Sequence, residues 1–123
     1  MKPSEAIALD SQQRGLDPNQ IMKVTHEIIK RGGFVLHQSN TTLVLEKLEP
    51  NVYAAHLFTH DQPLAMGRIF IQFFRNLESR GVKRLYGQAD NSQIVTMLKQ
   101  LGQRIGVQVG PSDRSGFNWM IKL

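Results

Sequence analysis

Two short segments carry residue types that could do chemistry. The first reads His60-Asp61-Gln62-Pro63-Leu64-Ala65-Met66-Gly67-Arg68. Small residues where a strand gives way to a helix let backbone amides approach a phosphate, and the helix N-terminus adds partial positive charge there. Arg68 adds a full charge. The same residues also make an ordinary connection, in which Pro63 opens a helix without wasting an amide. The second segment reads Leu85-Tyr86-Gly87-Gln88-Ala89-Asp90-Asn91 and leads into Ser92 to Gly102. An Asn that closes a strand and opens a helix reads first as a helix cap.

Other chemistry has less support. His26, His37, His56 and His60 show no paired ligand spacing, so no metal site is expected. His56 and His60 are candidate bases, with a structural role as the plainer reading. The Ser, His and Asp positions form no nucleophile elbow. With no cysteine, a thiol nucleophile, a disulfide framework and cysteine metal sites are excluded. Arg75, Arg80, Lys83 and Arg84 lie close in sequence, but no recognised nucleic-acid motif accompanies them.

The elements that must position these segments follow from pattern. At 123 residues the chain is one domain by size, and 41% hydrophobic with 20% charged residues is a globular balance. The net charge of +5 favours anionic partners. No apolar run reaches the length of a membrane span. The first residues are too polar for a signal peptide. Residues 1–16 read as a lead-in with one or two helical turns, and residues 17–123 as the domain. Asp17-Pro18 starts a helix whose apolar face is Ile21, Val24 and Ile28, with Ile29 beside them, and Gly32-Gly33 stops it. Three strands are predicted over Phe34–Ser39, Thr42–Leu48 and Val52–Thr59, joined as an antiparallel meander. The third is nearly apolar throughout, as a central strand covered on both faces would be. Leu64–Arg80 is the strongest helix, with a stripe of Ile69, Phe70, Phe73, Phe74 and Leu77. Val82–Ala89 reads as a strand, Asp90 or Asn91 as a cap, and Ile94, Met97, Leu98 and Leu101 as a helix ended by Gly102. Ile105–Val109 and Phe117–Leu123 read as strands around a turn at Gly110-Pro111-Ser112-Asp113, with Phe117 and Trp119 in the core. A helix between the third and fourth strands implies a right-handed parallel crossover. The sum is an α/β fold, a mixed central sheet with helices on both faces.

This order and the two segments resemble the GNAT superfamily, the Gcn5-related N-acetyltransferases, from about Asp17 to the C-terminus. In that family the loop after the central strand reads Gln/Arg-x-x-Gly-x-Gly/Ala; here it is Gln62-Pro63-Leu64-Ala65-Met66-Gly67, with Ala65 at the first Gly. The family's later Asn, small or apolar residue, Tyr and Gly fall on Asn91, Ile94, Leu98 and Gly102. The resemblance implies that amides around Ala65, Met66, Gly67 and Arg68, with Gln62, hold the pyrophosphate of acetyl-CoA. It places the pantetheine arm between Val52–Thr59 and Val82–Ala89, touching Asn91. The family's general acid, a Tyr, is replaced by Leu98, which has no proton to give; Tyr86 or water is the substitute on offer. A narrower likeness, in Phe58-Thr59-His60-Asp61-Gln62, Asn91-Ser92-Gln93-Ile94 and Leu98-Lys99-Gln100-Leu101-Gly102, is to small GNAT-like proteins of tailed phages, some of them internal virion or head–tail proteins.

Three functions follow as expectations. The first is a catalytically degenerate GNAT-like phage protein that acts as a virion structural or interaction protein, located in the cytoplasm of the host cell or in the virion, with other virion or host proteins as partners. The second is an active acyl-CoA-dependent N-acetyltransferase. The third, and weakest, is a nucleic-acid-binding module.

Overall fold

The computed structural model describes residues 1–88 and 92–123. Ten elements follow in order: α1 (Pro3–Gln13), α2 (Pro18–Lys30), β1 (Phe34–Gln38), β2 (Thr41–Glu49), β3 (Val52–Thr59), α3 (Pro63–Ser79), β4 (Arg84–Gly87), α4 (Ser92–Ile105), β5 (Gln108–Pro111) and β6 (Trp119–Lys122). The strands form one six-stranded sheet in the order β1-β2-β3-β4-β6-β5. β1, β2 and β3 are the expected antiparallel meander, and β3 and β4 are the expected parallel pair, crossed over by α3. Among the described residues, no helix is long and apolar enough to cross a membrane.

Helices cover both faces. On one, the α3 stripe of Ile69, Phe70, Phe73, Phe74 and Leu77 is buried as expected, against Leu43, Leu45, Leu85 and Ile121, with Leu98 and Leu101 of α4 beside it. On the other, Ile7 of α1 and Ile28 of α2 meet Val44 and Phe58. The parallel seam is short. Val52, Tyr53 and Ala54 pair with Arg84, Leu85 and Tyr86, and β3 then runs on to Thr59 without a partner in β4. The sheet forks there. At the base of the fork Asn51, in the left-handed conformation at φ 66°, accepts the amides of Lys83 (2.8 Å) and Arg84 (3.4 Å) on its carbonyl oxygen.

Several boundaries differ from the sequence expectation. The lead-in forms a three-turn helix, α1, in which Ala6, Ile7 and Ser11 are buried and the Ser11 hydroxyl donates to the Ile7 carbonyl. Asp17 caps α2 as expected, accepting from the Asn19 amide at 3.0 Å. The inner face of α2, however, is Ile21, Met22, Thr25 and Ile28, while Val24 and Ile29 are exposed. Thr25 turns inward because its hydroxyl bonds back to the Ile21 carbonyl at 2.9 Å. The fourth strand is shorter than Val82–Ala89, and Ala89, Asp90 and Asn91 lie outside the described residues.

Gly102 does not end the last helix. α4 passes through it and continues to Ile105; the stop is Gly106, at φ 78°, with the Val107 amide bonded back to the Gly102 carbonyl at 2.9 Å. Gly102 serves close approach instead, since a Cβ there would run into the Val107 carbonyl oxygen. The last two strands shift accordingly. Gly110 and Pro111 are paired residues of β5, tolerated because β5 is the sheet edge, and the loop spans 112–118.

Candidate functional site

The fork opens into a cavity of about 730 Å³ that passes from one face of the sheet to the other. On the α3 side its walls are Leu57, Phe70, Phe74, Leu85, Leu98, Trp119 and Ile121. On the α1 side they are Asp10, Arg14, Leu16, Ile21, Glu46, His56 and Phe58. Gly87, Gln88, Gly116 and Phe117 line it as well. Phe117 and Trp119, expected in the core, are half-buried walls of this cavity.

The strand-to-helix segment lies beyond the Thr59 end of β3. Gln62 is the N-cap residue of α3, and its side chain makes no capping bond. Gln62, Ala65 and Arg68 are exposed, Gly67 is half-buried, and Met66 is buried. None of these residues lines the cavity. The first turn of a helix ordinarily offers several unpaired amides. Here Pro63 has none, and the Ala65 amide closes a tight bond to the Gln62 carbonyl at 2.9 Å. A Cβ on Gly67 would meet nothing within 4 Å, so the approach to the helix at that point is open. Asn91, the remaining residue assigned to the coenzyme, lies outside the described residues.

Asp61 fixes this segment from below. Its carboxylate accepts the Ser39 hydroxyl (2.7 Å), the Asn40 amide (2.9 Å) and the Thr41 hydroxyl (2.6 Å). Partial burial works against ionisation. The bonds from Ser39, Thr41 and Asn40, with His37 nearby, outweigh it and hold the carboxyl below its ordinary value. The chain of bonds continues. The Thr59 hydroxyl lies 2.6 Å from that of Thr41, and the Thr59 amide donates to Asp10 at 2.9 Å. Asp10 in turn pairs with Arg14 at 2.6 Å. The turn before β2, the end of β3 and α1 are thereby tied together. No sequence motif signalled this network, because its members are far apart in the chain.

The proton-bearing candidates are placed as follows. Leu98 is buried and forms part of the cavity wall, so an aliphatic group stands where the resemblance implies a phenol. Tyr86 is buried outside the cavity lining, and its hydroxyl donates to Asp113 at 2.6 Å. That bond, with Arg84 and Lys122 close by, keeps Asp113 below the usual carboxylate range. Arg114 lies over the Tyr86 ring and pairs with Glu49. His60 contacts the Ala6 carbonyl at 3.3 Å and does not line the cavity. His56 does line it, with its Nε2 3.0 Å from Glu46. His37 is held between Thr42 (2.8 Å) and the Met1 carbonyl (2.7 Å).

The fold is shared with known acetyltransferases. The chain superimposes on a Salmonella typhimurium protein solved with its cofactor acetyl-CoA, with TM-score 0.60 and 11% identity over 99% of this chain and 87% of that one. A GNAT-family acetyltransferase from Staphylococcus aureus gives TM-score 0.57 and 14% identity over 96% and 90%. A Bacillus subtilis acetyltransferase in complex with CoA gives 0.51 and 13% over 82% and 83%. No family model matches the chain, and no curated protein matches it in sequence. At these identities the likeness establishes a GNAT-like fold.

Proposed function

We propose that this protein uses its forked sheet to hold the arm of an acyl-coenzyme A and has lost the proton delivery that makes a transferase fast. Its role is then that of an interaction protein. The observation that carries the reading is Leu98: a buried aliphatic group in the cavity wall, with the Tyr86 phenol tied to Asp113 outside it. A missing general acid typically lowers a rate by about 10²–10⁴-fold. The neighbours that carry acetyl-CoA and CoA support the ligand class. The open approach at Gly67 supports room for a pyrophosphate at the start of α3. The narrower virion assignment rests on the short phage-like sequence stretches alone. Finding no trace of the chain in purified particles from infected cells would remove it.

One observation favours a working N-acetyltransferase instead. His56 and Glu46 face the cavity as a pair, and such a pair can take a proton from an amine. Calorimetry and a thiol-release assay separate the two. Acetyl-CoA should bind in the micromolar range, and Gly67→Glu should abolish binding by placing bulk and negative charge beside the pyrophosphate. Turnover over a panel of amines and peptides should stay at least about 10²-fold below a typical kcat of roughly 10 s⁻¹. Leu98→Tyr should raise it. An ordinary rate in the unmodified protein makes it an enzyme, and no binding at all makes it a bare scaffold.

A further inference from the structure

Among the described residues, one buried polar atom of the cavity lining has neither a hydrogen-bond nor an ion-pair partner, since Asp10 Oδ1, which also lacks a hydrogen bond, faces the Arg14 guanidinium. The indole Nε1 of Trp119 is buried and meets no acceptor among the described residues. Other polar side chains of the lining are engaged: Gln88 with the Gly116 carbonyl, Glu46 with His56, and Asp10 with Arg14 and the Thr59 amide. A buried donor without a partner is costly, and native proteins carry few.

The ring is held in place. Trp119 pairs with Gly87 on one side and Pro111 on the other. Its indole lies across Gly87 so closely that a Cβ there would sit 2.5 Å from Cε2. Gly87 is the residue of β4 just past the last pair of the parallel seam, so the indole stands at the level where the sheet forks. Trp119 packs against the apolar cluster that includes Phe70, Phe74, Leu85, Leu98 and Ile121. An indole N–H donates only, so its partner must be an acceptor. In an apolar wall a neutral carbonyl is favoured over a charged group, which would lose its hydration there.

We propose that Trp119 is a positioning residue whose indole N–H donates to the carbonyl oxygen of a bound acyl thioester at the fork. This rests on the acyl-coenzyme A reading above. The bond supplies the cavity with a fixed donor from β6, on the strand facing the helix position where Leu98 supplies none. It orients the acyl group and adds no proton to the leaving thiolate.

Trp119 is the only tryptophan, so its indole N–H gives a single resonance in a ¹⁵N-correlated spectrum. Titration with acetyl-CoA should move that resonance downfield, and CoA, which lacks the thioester carbonyl, should not. Trp119→Phe keeps an aromatic ring and removes the donor. It should weaken acetyl-CoA binding about three- to tenfold, the scale of one neutral hydrogen bond, and leave CoA binding unchanged. If calorimetry shows acetyl-CoA bound while the indole resonance stays put, the assignment of Trp119 is wrong and the coenzyme reading survives. Equal weakening of both ligands also overturns it, since the donor would then serve the arm and not the acyl group. If neither ligand binds, both readings fall together.

Discussion

β2 and β6 sit on opposite sides of the fork and are covered very differently. In β2 the run Thr41–Leu45 is buried at every position, because α3 lies on one face and α1 with α2 on the other. In β6 only Ile121 is buried, and Trp119 and Met120 are half-covered. A strand sealed on both faces serves chiefly as scaffold. A strand half-sealed beside a gap presents side chains to whatever enters. The β1-β2-β3 half therefore carries the core on both faces, while the cavity is walled from both halves, by His56, Leu57 and Phe58 of β3 and by Leu85, Trp119 and Ile121 of β4 and β6.

The largest test of this contrast is Phe73→Ala. Phe73 is buried in the α3 core and does not line the cavity, so truncation should cost about 3–5 kcal/mol by denaturant unfolding. A loss under about 1 kcal/mol would mean that α3 does not seal the scaffold half. The second test is Gly87→Ala, on the thin side. The added methyl has to displace the Trp119 ring, which should cost about 1–3 kcal/mol and shift tryptophan emission as the ring becomes more exposed. Unchanged stability together with unchanged emission would show that the ring does not lie across Gly87. The smallest effect is expected at Asp61. Its folded pKa lies below the ordinary 3.8, so its contribution to stability is complete above that value and disappears as pH falls through the lower, folded value. Asp61→Asn should melt lower than the parent near neutrality, and the two curves should converge in acid. A constant gap down to about pH 2 would mean that the carboxylate charge contributes nothing.

How much of this was legible in the sequence depends on the distance over which each signal acts. The α3 stripe and the meander were readable because burial repeats at the helix or strand period within a few residues. α1 leaves a faint signal, since Ala6 and Ile7 are its buried apolar residues and Ser11 is buried through a bond to its own helix. Val24 and Ile29 face outward because Thr25, polar by type, satisfies its hydroxyl within the helix and takes the inner position. Gly102 shows a deeper limit. A glycine can end a helix or admit a neighbour, and only the returning chain at Val107 decides between them. The same holds at the site. Leu98 could be placed by its spacing from Asn91, whereas Trp119 became a wall residue only through its pairing with Gly87.

The fork also has a mechanics. Its two arms are levers that share a pivot, and the pivot is the Asn51 carbonyl with three residue pairs above it. The arm of β3 beyond the seam, Ala55–Thr59, is paired with β2 alone and extends roughly 16 Å at about 3.3 Å per residue. A rotation of about 5° at the pivot carries its tip through more than about 1 Å, comparable to the tolerance of a hydrogen bond. The Asn51 carbonyl thus joins the two arms at the end of the seam away from the cavity, while the bonds among Asp61, Thr41, Thr59 and Asp10 fix the tip of one of them.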